Sequence, residues 1–152
     1  MSNYINIEFE IHKKIRFDGK KYRKVKRTKH GLRGGLANYR GYGLTTGCPV
    51  RYHSGTYQCY NKTEVLDLST KTWSDAPDYP FGWISTYSTI STSESAYIIG
   101  GSFTEDIIAQ FMNFQWYLAG NLKQKRKGSG SILIGNHAVI IGGWRDRAFQ
   151  DE

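Results

Sequence analysis

The chain has 152 residues, enough to bury one ordinary core, and carries a formal net charge of +8. Its 11 Tyr, 7 Phe and 4 Trp suit pleated strands, whereas 17 Gly disfavour long helices. No apolar run approaches the ~20 residues of a membrane-spanning helix, and the polar, basic N-terminus lacks the apolar stretch of a secretory signal.

The charge is concentrated at one end. Residues 1–40 hold 12 Lys and Arg against Glu8, Glu10 and Asp18, a net of +9, while residues 41–152 sum to −1. The densest stretch is Lys20, Lys21, Arg23, Lys24, Lys26, Arg27 and Lys29, with Tyr22 interleaved. Such an arm can bind phosphates, so residues 13–33 are the candidate segment for a polyanion or nucleic-acid binder. It can equally be an outer strand and its connector, where edge Lys side chains discourage aggregation.

The first predicted element is a hairpin at Phe17-Asp18-Gly19-Lys20-Lys21-Tyr22, because Asp-Gly between β-like runs is a strong turn signal. Residues 35–48 (GLANYRGYGLTTGC) read as two short strands breaking near Arg40-Gly41. A loop over 49–62 follows. Cys48 and Cys59 bracket its ten residues from Pro49 to Gln58, and a disulfide there would staple the insertion. The alternative is two unrelated thiols in a reducing compartment. Two cysteines are too few for a structural zinc site, and His53 does not complete one. Asn61-Lys62-Thr63 is a glycosylation sequon. Together with paired cysteines it favours a secreted protein whose N-terminus lies upstream; without them the reading is cytoplasmic.

Residues 66–73 (LDLSTKTW) predict a second hairpin with a longer polar turn. Residues 74–83 then form an acidic and aromatic connector. Residues 88–101 (STISTSESAYIIGG) repeat the two-strand pattern with a break near Ser93-Glu94. A third hairpin is predicted at 111–116, then the basic connector Lys123-Gln124-Lys125-Arg126-Lys127. Residues 130–143 (GSILIGNHAVIIGG) close the series, breaking near Gly135-Asn136.

These elements are copies of one unit. The three 14-residue blocks align without a gap, each with a small residue in the ninth column (Gly43, Ala96, Ala138), then a β-favouring triplet and Gly47, Gly100 or Gly142. The last column is Cys48, Gly101 and Gly143. Tyr22, Trp73 and Trp116 precede those last columns by 26, 28 and 27 residues. The blocks end 53 and 42 residues apart, around the roughly 50 of a kelch repeat. The glycines would let the backbone turn sharply or pack where a Cβ would clash.

The pattern resembles the kelch repeat: an apolar run into Gly-Gly, then a strand similar to the family's Tyr-Asp-Pro-x-Thr-x-x-Trp, here with Asp67, Thr70 and Trp73 in place. The resemblance covers roughly residues 5–143, with Cys48 replacing a Gly and Tyr22 a Trp. It implies an all-β fold, a segment of a kelch-type β-propeller and a single partial propeller over 1–152. Its repeat units are about 5–48, 49–101 and 102–143, with a tail at 144–152. With strands a to d numbered from the propeller centre outward, the blocks are a–b and the aromatic-bearing hairpins c–d. This gives two complete four-stranded blades, at about 35–78 and 88–121, flanked by half-blades. A closed propeller has 4–8 blades, so further repeats or self-association would be needed to complete the ring.

The resemblance also implies a binding role. Loops b–c and d–a share one face, carrying 23–33, 49–62, 74–87 and 121–129, and in the family such loops commonly form the ligand surface. Arg51, Tyr52, Tyr57, Tyr79, Trp83 and Arg126 are the candidate partner-binding residues, of the types that dominate interface energetics. The expected function is a non-enzymatic protein-binding scaffold without a cofactor, its partner a protein, with nucleic acid less favoured. No Gly-x-Ser-x-Gly, Gly-x-x-x-x-Gly-Lys or His-Glu-x-x-His motif is present. His12, His30, His53 and His137 are scattered over the repeats, so the copper-binding Tyr, His and Cys set of some kelch-type oxidases is not expected.

Overall fold

The computed structural model describes residues 35–47 and 61–144, together with the backbone of two short strands at 51–53 and 56–58. The half-blade expected around Tyr22, the basic segment 13–33, and Cys48 and Cys59 lie outside the described residues. Every regular element among them is a β-strand.

The first sheet joins β1 (Ala37–Tyr39), β2 (Tyr42–Gly47), β5 (Lys62–Asp67) and β6 (Thr72–Ala76) in that spatial order. The second joins β7 (Ser88–Ser91), β8 (Ala96–Ile99), β9 (Ile107–Met112) and β10 (Gln115–Asn121) in the same way. A third holds only β11 (Lys127–Ile134) and β12 (His137–Trp144). All pairings are antiparallel between chain neighbours, except that β5 follows β2 across an insertion. That insertion, read from sequence as a loop, carries a small ribbon of β3 (Arg51–His53) and β4 (Thr56–Gln58). The result is a propeller-like series of two four-stranded blades and one hairpin, each aligned block supplying the first two strands of its sheet.

Local chemistry sets the turns. Arg40 and Gly41 (φ 48° and 83°) and Asn113 and Phe114 (51° and 57°) are both left-handed pairs, which match the twist of the strands they join. Asp67 organises the 67–72 turn. Its Oδ1 accepts from the Ser69 N–H (2.7 Å), the Ser69 hydroxyl (2.6 Å) and the Thr70 N–H (3.2 Å). The Lys71 N–H closes the turn on the Asp67 carbonyl at 2.7 Å, with Lys71 at φ 62°. The Asp of the 66–73 motif therefore acts as a side-chain brace for a tight turn.

The core lies between sheets. Ala37, Tyr39, Leu44 and Val65 of the first blade meet Ala96 and Phe111 of the second, all buried. A second cluster joins Tyr79, Ile84 and Tyr87 of the connector to Ile98 and Ala109. Trp116 touches both clusters. Its ring lies 4.8 Å from Phe111 and 5.1 Å from Tyr79, and its Nε1–H donates to the Pro77 carbonyl at 2.9 Å. The recurring aromatic of strand d thus ties its blade to the connector arriving from the blade before. The Tyr87 hydroxyl does similar work further in, bonding the Thr46 carbonyl (2.7 Å) and the Gly35 carbonyl (2.9 Å) of the first blade.

Candidate recognition surface

Strand direction alternates within each blade, so the b–c loop 100–106 and the d–a connectors 77–87 and 122–126 emerge together. They are knitted by backbone hydrogen bonds. Ser102 N–H donates to Ser85 C=O at 2.8 Å, Gly101 N–H to Arg126 C=O at 3.1 Å and Arg126 N–H to Glu105 C=O at 2.9 Å. Gly128 N–H reaches Thr86 C=O at 2.7 Å, and the Thr86 and Ser102 hydroxyls share a bond of 2.8 Å. Three successive sheets therefore present one continuous backbone platform.

The Gly-Gly signature makes this knitting sterically feasible. A Cβ on Gly100 (φ 61°) would stand 2.4 Å from the Arg126 carbonyl oxygen, and one on Gly101 (φ 107°) 2.8 Å from that of Ser85. Gly143 (φ 81°) is held likewise, 2.9 Å from the Lys127 oxygen. Gly142 differs: it needs its left-handed φ of 68°, but nothing lies near its missing side chain. Gly47, the first repeat's counterpart, closes β2 at φ 146°.

On this platform stand two large exposed rings. Trp83 is 51 % exposed and Phe103 75 %, and they meet edge to face at 5.9 Å. Thr86 and Phe103 both adopt left-handed backbone (φ 52° and 69°), a conformation that costs energy for non-glycine residues and recurs at functional sites. Phe103 was absent from the sequence-derived candidates. The rule that placed Trp83 on this face, loop position in an alternating blade, applies equally to 100–106.

The other candidates divide. Tyr79 is a correction: it is 1 % exposed, its ring packed edge-on against Phe81 (5.4 Å) and Trp116 (5.1 Å). Its backbone N–H donates to the Asn61 carbonyl at 2.8 Å, which pulls the connector inward, so Tyr79 is a core residue and presents no ring to a partner. Burial pushes its hydroxyl up to about 12, with Thr104 opposing the shift, and neither hydroxyl finds a well-formed hydrogen bond. Arg126 is half-buried and lends its guanidinium to the Gly142 carbonyl (2.8 Å) and Gln124 (3.3 Å), tying the third hairpin to the second blade. Arg51, Tyr52 and Tyr57 lie on the ribbon, with Tyr52 directly opposite Tyr57 in register. Trp73 is half-buried on β6.

At the sequon, Asn61 is half-buried with its Oδ1 enclosed, and Thr63 is 1 % exposed, its hydroxyl donating to Thr46 Oγ1 at 3.0 Å. Lys127, 8 % exposed, holds its ammonium 4.1 Å above the Trp144 ring and 3.8 Å from a Glu105 carboxylate oxygen. Lys123 and Lys125 are exposed on the connector whose Leu122 and Arg126 amides bond the carbonyls of Asp106 and Glu105, so the two segments bring both signs of charge together. Among the described residues no cluster of His, Cys, Asp or Glu could hold a metal ion, and no helix is long and apolar enough to cross a membrane.

No protein-family model matches the chain, and no curated protein matches it in sequence.

Proposed function

We propose that the chain is a kelch-type propeller segment acting as a non-enzymatic, protein-binding scaffold, with Trp83 and Phe103 as its anchor residues. The observation that carries this reading is the exposed edge-to-face pair on a platform knitted from three connectors. Paired aromatics on a rigid base suit protein recognition, because large rings bury much area while losing few rotamers. The exposed Lys123 and Lys125 of the connector that joins this platform supply polar groups at its rim.

The test is a display selection of peptides against immobilised protein, followed by affinities for the Trp83→Ala and Phe103→Ala variants. Each substitution should weaken selected binders at least tenfold while leaving the thermal midpoint unchanged, since both rings are exposed. Binders unaffected by both variants overturn the reading. Binding to heparin that falls steeply with salt would instead favour the basic segment 13–33 and a polyanion.

A further inference from the structure

Charge on the platform is lopsided. The 100–106 loop joins the connector that carries Trp83 to the one that carries Lys123 and Lys125. On one side the Ser102 N–H bonds the Ser85 carbonyl. On the other, the Gly101 N–H bonds Arg126, and the Asp106 and Glu105 carbonyls accept from Leu122 and Arg126. The carboxylates of these three segments are already compensated or withdrawn. Asp78 accepts from the Lys62 ammonium at 2.8 Å, Glu105 lies 3.8 Å from that of Lys127, and Asp106 is half-buried. The cations are not. Lys123 and Lys125 are exposed and make no hydrogen bond or ion pair among the described residues. The Arg126 guanidinium bonds neutral acceptors, the Gly142 carbonyl and the Gln124 side chain, so its charge is left uncompensated.

Beside this excess stands the ring pair. Trp83 and Phe103 are 84° apart in plane with centroids at 5.9 Å, so together they form a corner with one ring face and one ring edge. Such a corner accepts an apolar side chain on both walls.

We infer that this site takes an acidic segment of a protein partner, with an apolar side chain seated in the Trp83–Phe103 corner and Asp or Glu residues facing Lys123 and Lys125. The inference rests on the protein-binding reading above and names the chemistry of its partner. Carboxylate is the matching anion. Bidentate capture of phosphate uses an arginine fork, and that of Arg126 is occupied. The amides of Gly101, Ser102 and Thr104 already donate to carbonyls of the platform, so its backbone offers no anion nest either. Two exposed ammonium groups suit a pair of carboxylates and are too few for the many phosphate contacts of a nucleic acid.

The test uses the full chain and the displayed peptides selected on it. Peptides that lose affinity on Trp83→Ala should be enriched in Asp and Glu. Lys123→Gln with Lys125→Gln should weaken them about fivefold. Changing the peptide's Asp and Glu to Asn and Gln should cost the same factor on wild type and nothing further on the lysine variant. A variant that was merely misfolded would not show that cancellation. Residues 1–40 carry a net charge of +9 and attract anions by themselves, so Lys20→Gln with Lys24→Gln is the control. It should change affinity less than about twofold, because screening confines each charge to its neighbourhood. Trp83-dependent peptides that are neutral or basic, that ignore the lysine pair, or that respond as strongly to the control would overturn the inference and leave the protein-binding reading intact. Failure to select any Trp83-dependent peptide would remove that reading and this inference with it.

Discussion

Gly100 and Arg126 approach so closely that the missing Cβ of the glycine would stand 2.4 Å from the arginine's carbonyl oxygen. No side-chain rearrangement can relieve that contact, because the obstacle is backbone. Gly100→Ala should therefore cost about 3 kcal/mol or more, combining the clash with a left-handed φ. Gly142→Ala, at a similar φ but in open space, should cost only about 1 kcal/mol. Urea unfolding midpoints at constant slope give both numbers, and equal costs would refute the steric account.

Trp116 joins two core clusters and bonds Pro77 through Nε1. Trp116→Phe should keep the packing and lose about 1 kcal/mol for the missing donor. Trp116→Ala should lose about 3 kcal/mol and loosen the 74–79 connector. Hydrogen exchange at the Tyr79 amide, which bonds Asn61, reports that loosening directly.

Burial holds the Tyr79 hydroxyl neutral up to about pH 12, against an ordinary value of 10.0. The folded chain therefore keeps its proton where the unfolded chain has lost it, so stability is full below pH 10 and declines between 10 and 12. Tyr79→Phe should reduce that decline, leaving the contribution of Tyr87, which burial also raises. Because the Tyr79 hydroxyl lacks a well-formed bond, the substitution should change stability at neutral pH by less than about 1 kcal/mol. Thermal melts across pH 8–12.5 test both statements.

Asp67 behaves in the opposite sense. The Ser69 hydroxyl and the amides of Thr70 and Ser69 hold its carboxyl below the ordinary 3.8. Its contribution is present above that value and lost as pH falls through the depressed folded one. Asp67→Ala should abolish this acid-side dependence and speed exchange of the Lys71 amide, which closes the same turn. An unchanged acid titration would show that the turn stands without its brace.

Much of the fold was legible because repetition multiplies weak signals. The breaks expected at Arg40-Gly41, Ser93-Glu94 and Gly135-Asn136 fall in the turns of β1–β2, β7–β8 and β11–β12. The two blades expected at about 35–78 and 88–121 are the two four-stranded sheets. What local pattern could not supply was the direction of a ring in an irregular segment. Tyr79 and Trp83 sit in one acidic, aromatic connector, yet one is 1 % and the other 51 % exposed. The difference lies in a hydrogen bond from Tyr79 to Asn61, across 18 residues of chain, that no local window contains. The β3–β4 ribbon escaped for a related reason: it has no counterpart in the other units, so alignment treats it as length alone.

The periodic order of the strands has a consequence for how such a chain can lengthen. The segment that recurs in sequence runs from one Gly-Gly to the next, so it begins with strand c of one sheet and ends with strand b of another. Duplicating it in tandem inserts a c–d pair beside an existing b strand and a fresh a–b pair beside an existing c strand. Every new strand finds a neighbour at once, and no intermediate exposes an additional edge. Lengthening by whole units, in whichever phase they are copied, therefore adds paired strands and no new sticky edge.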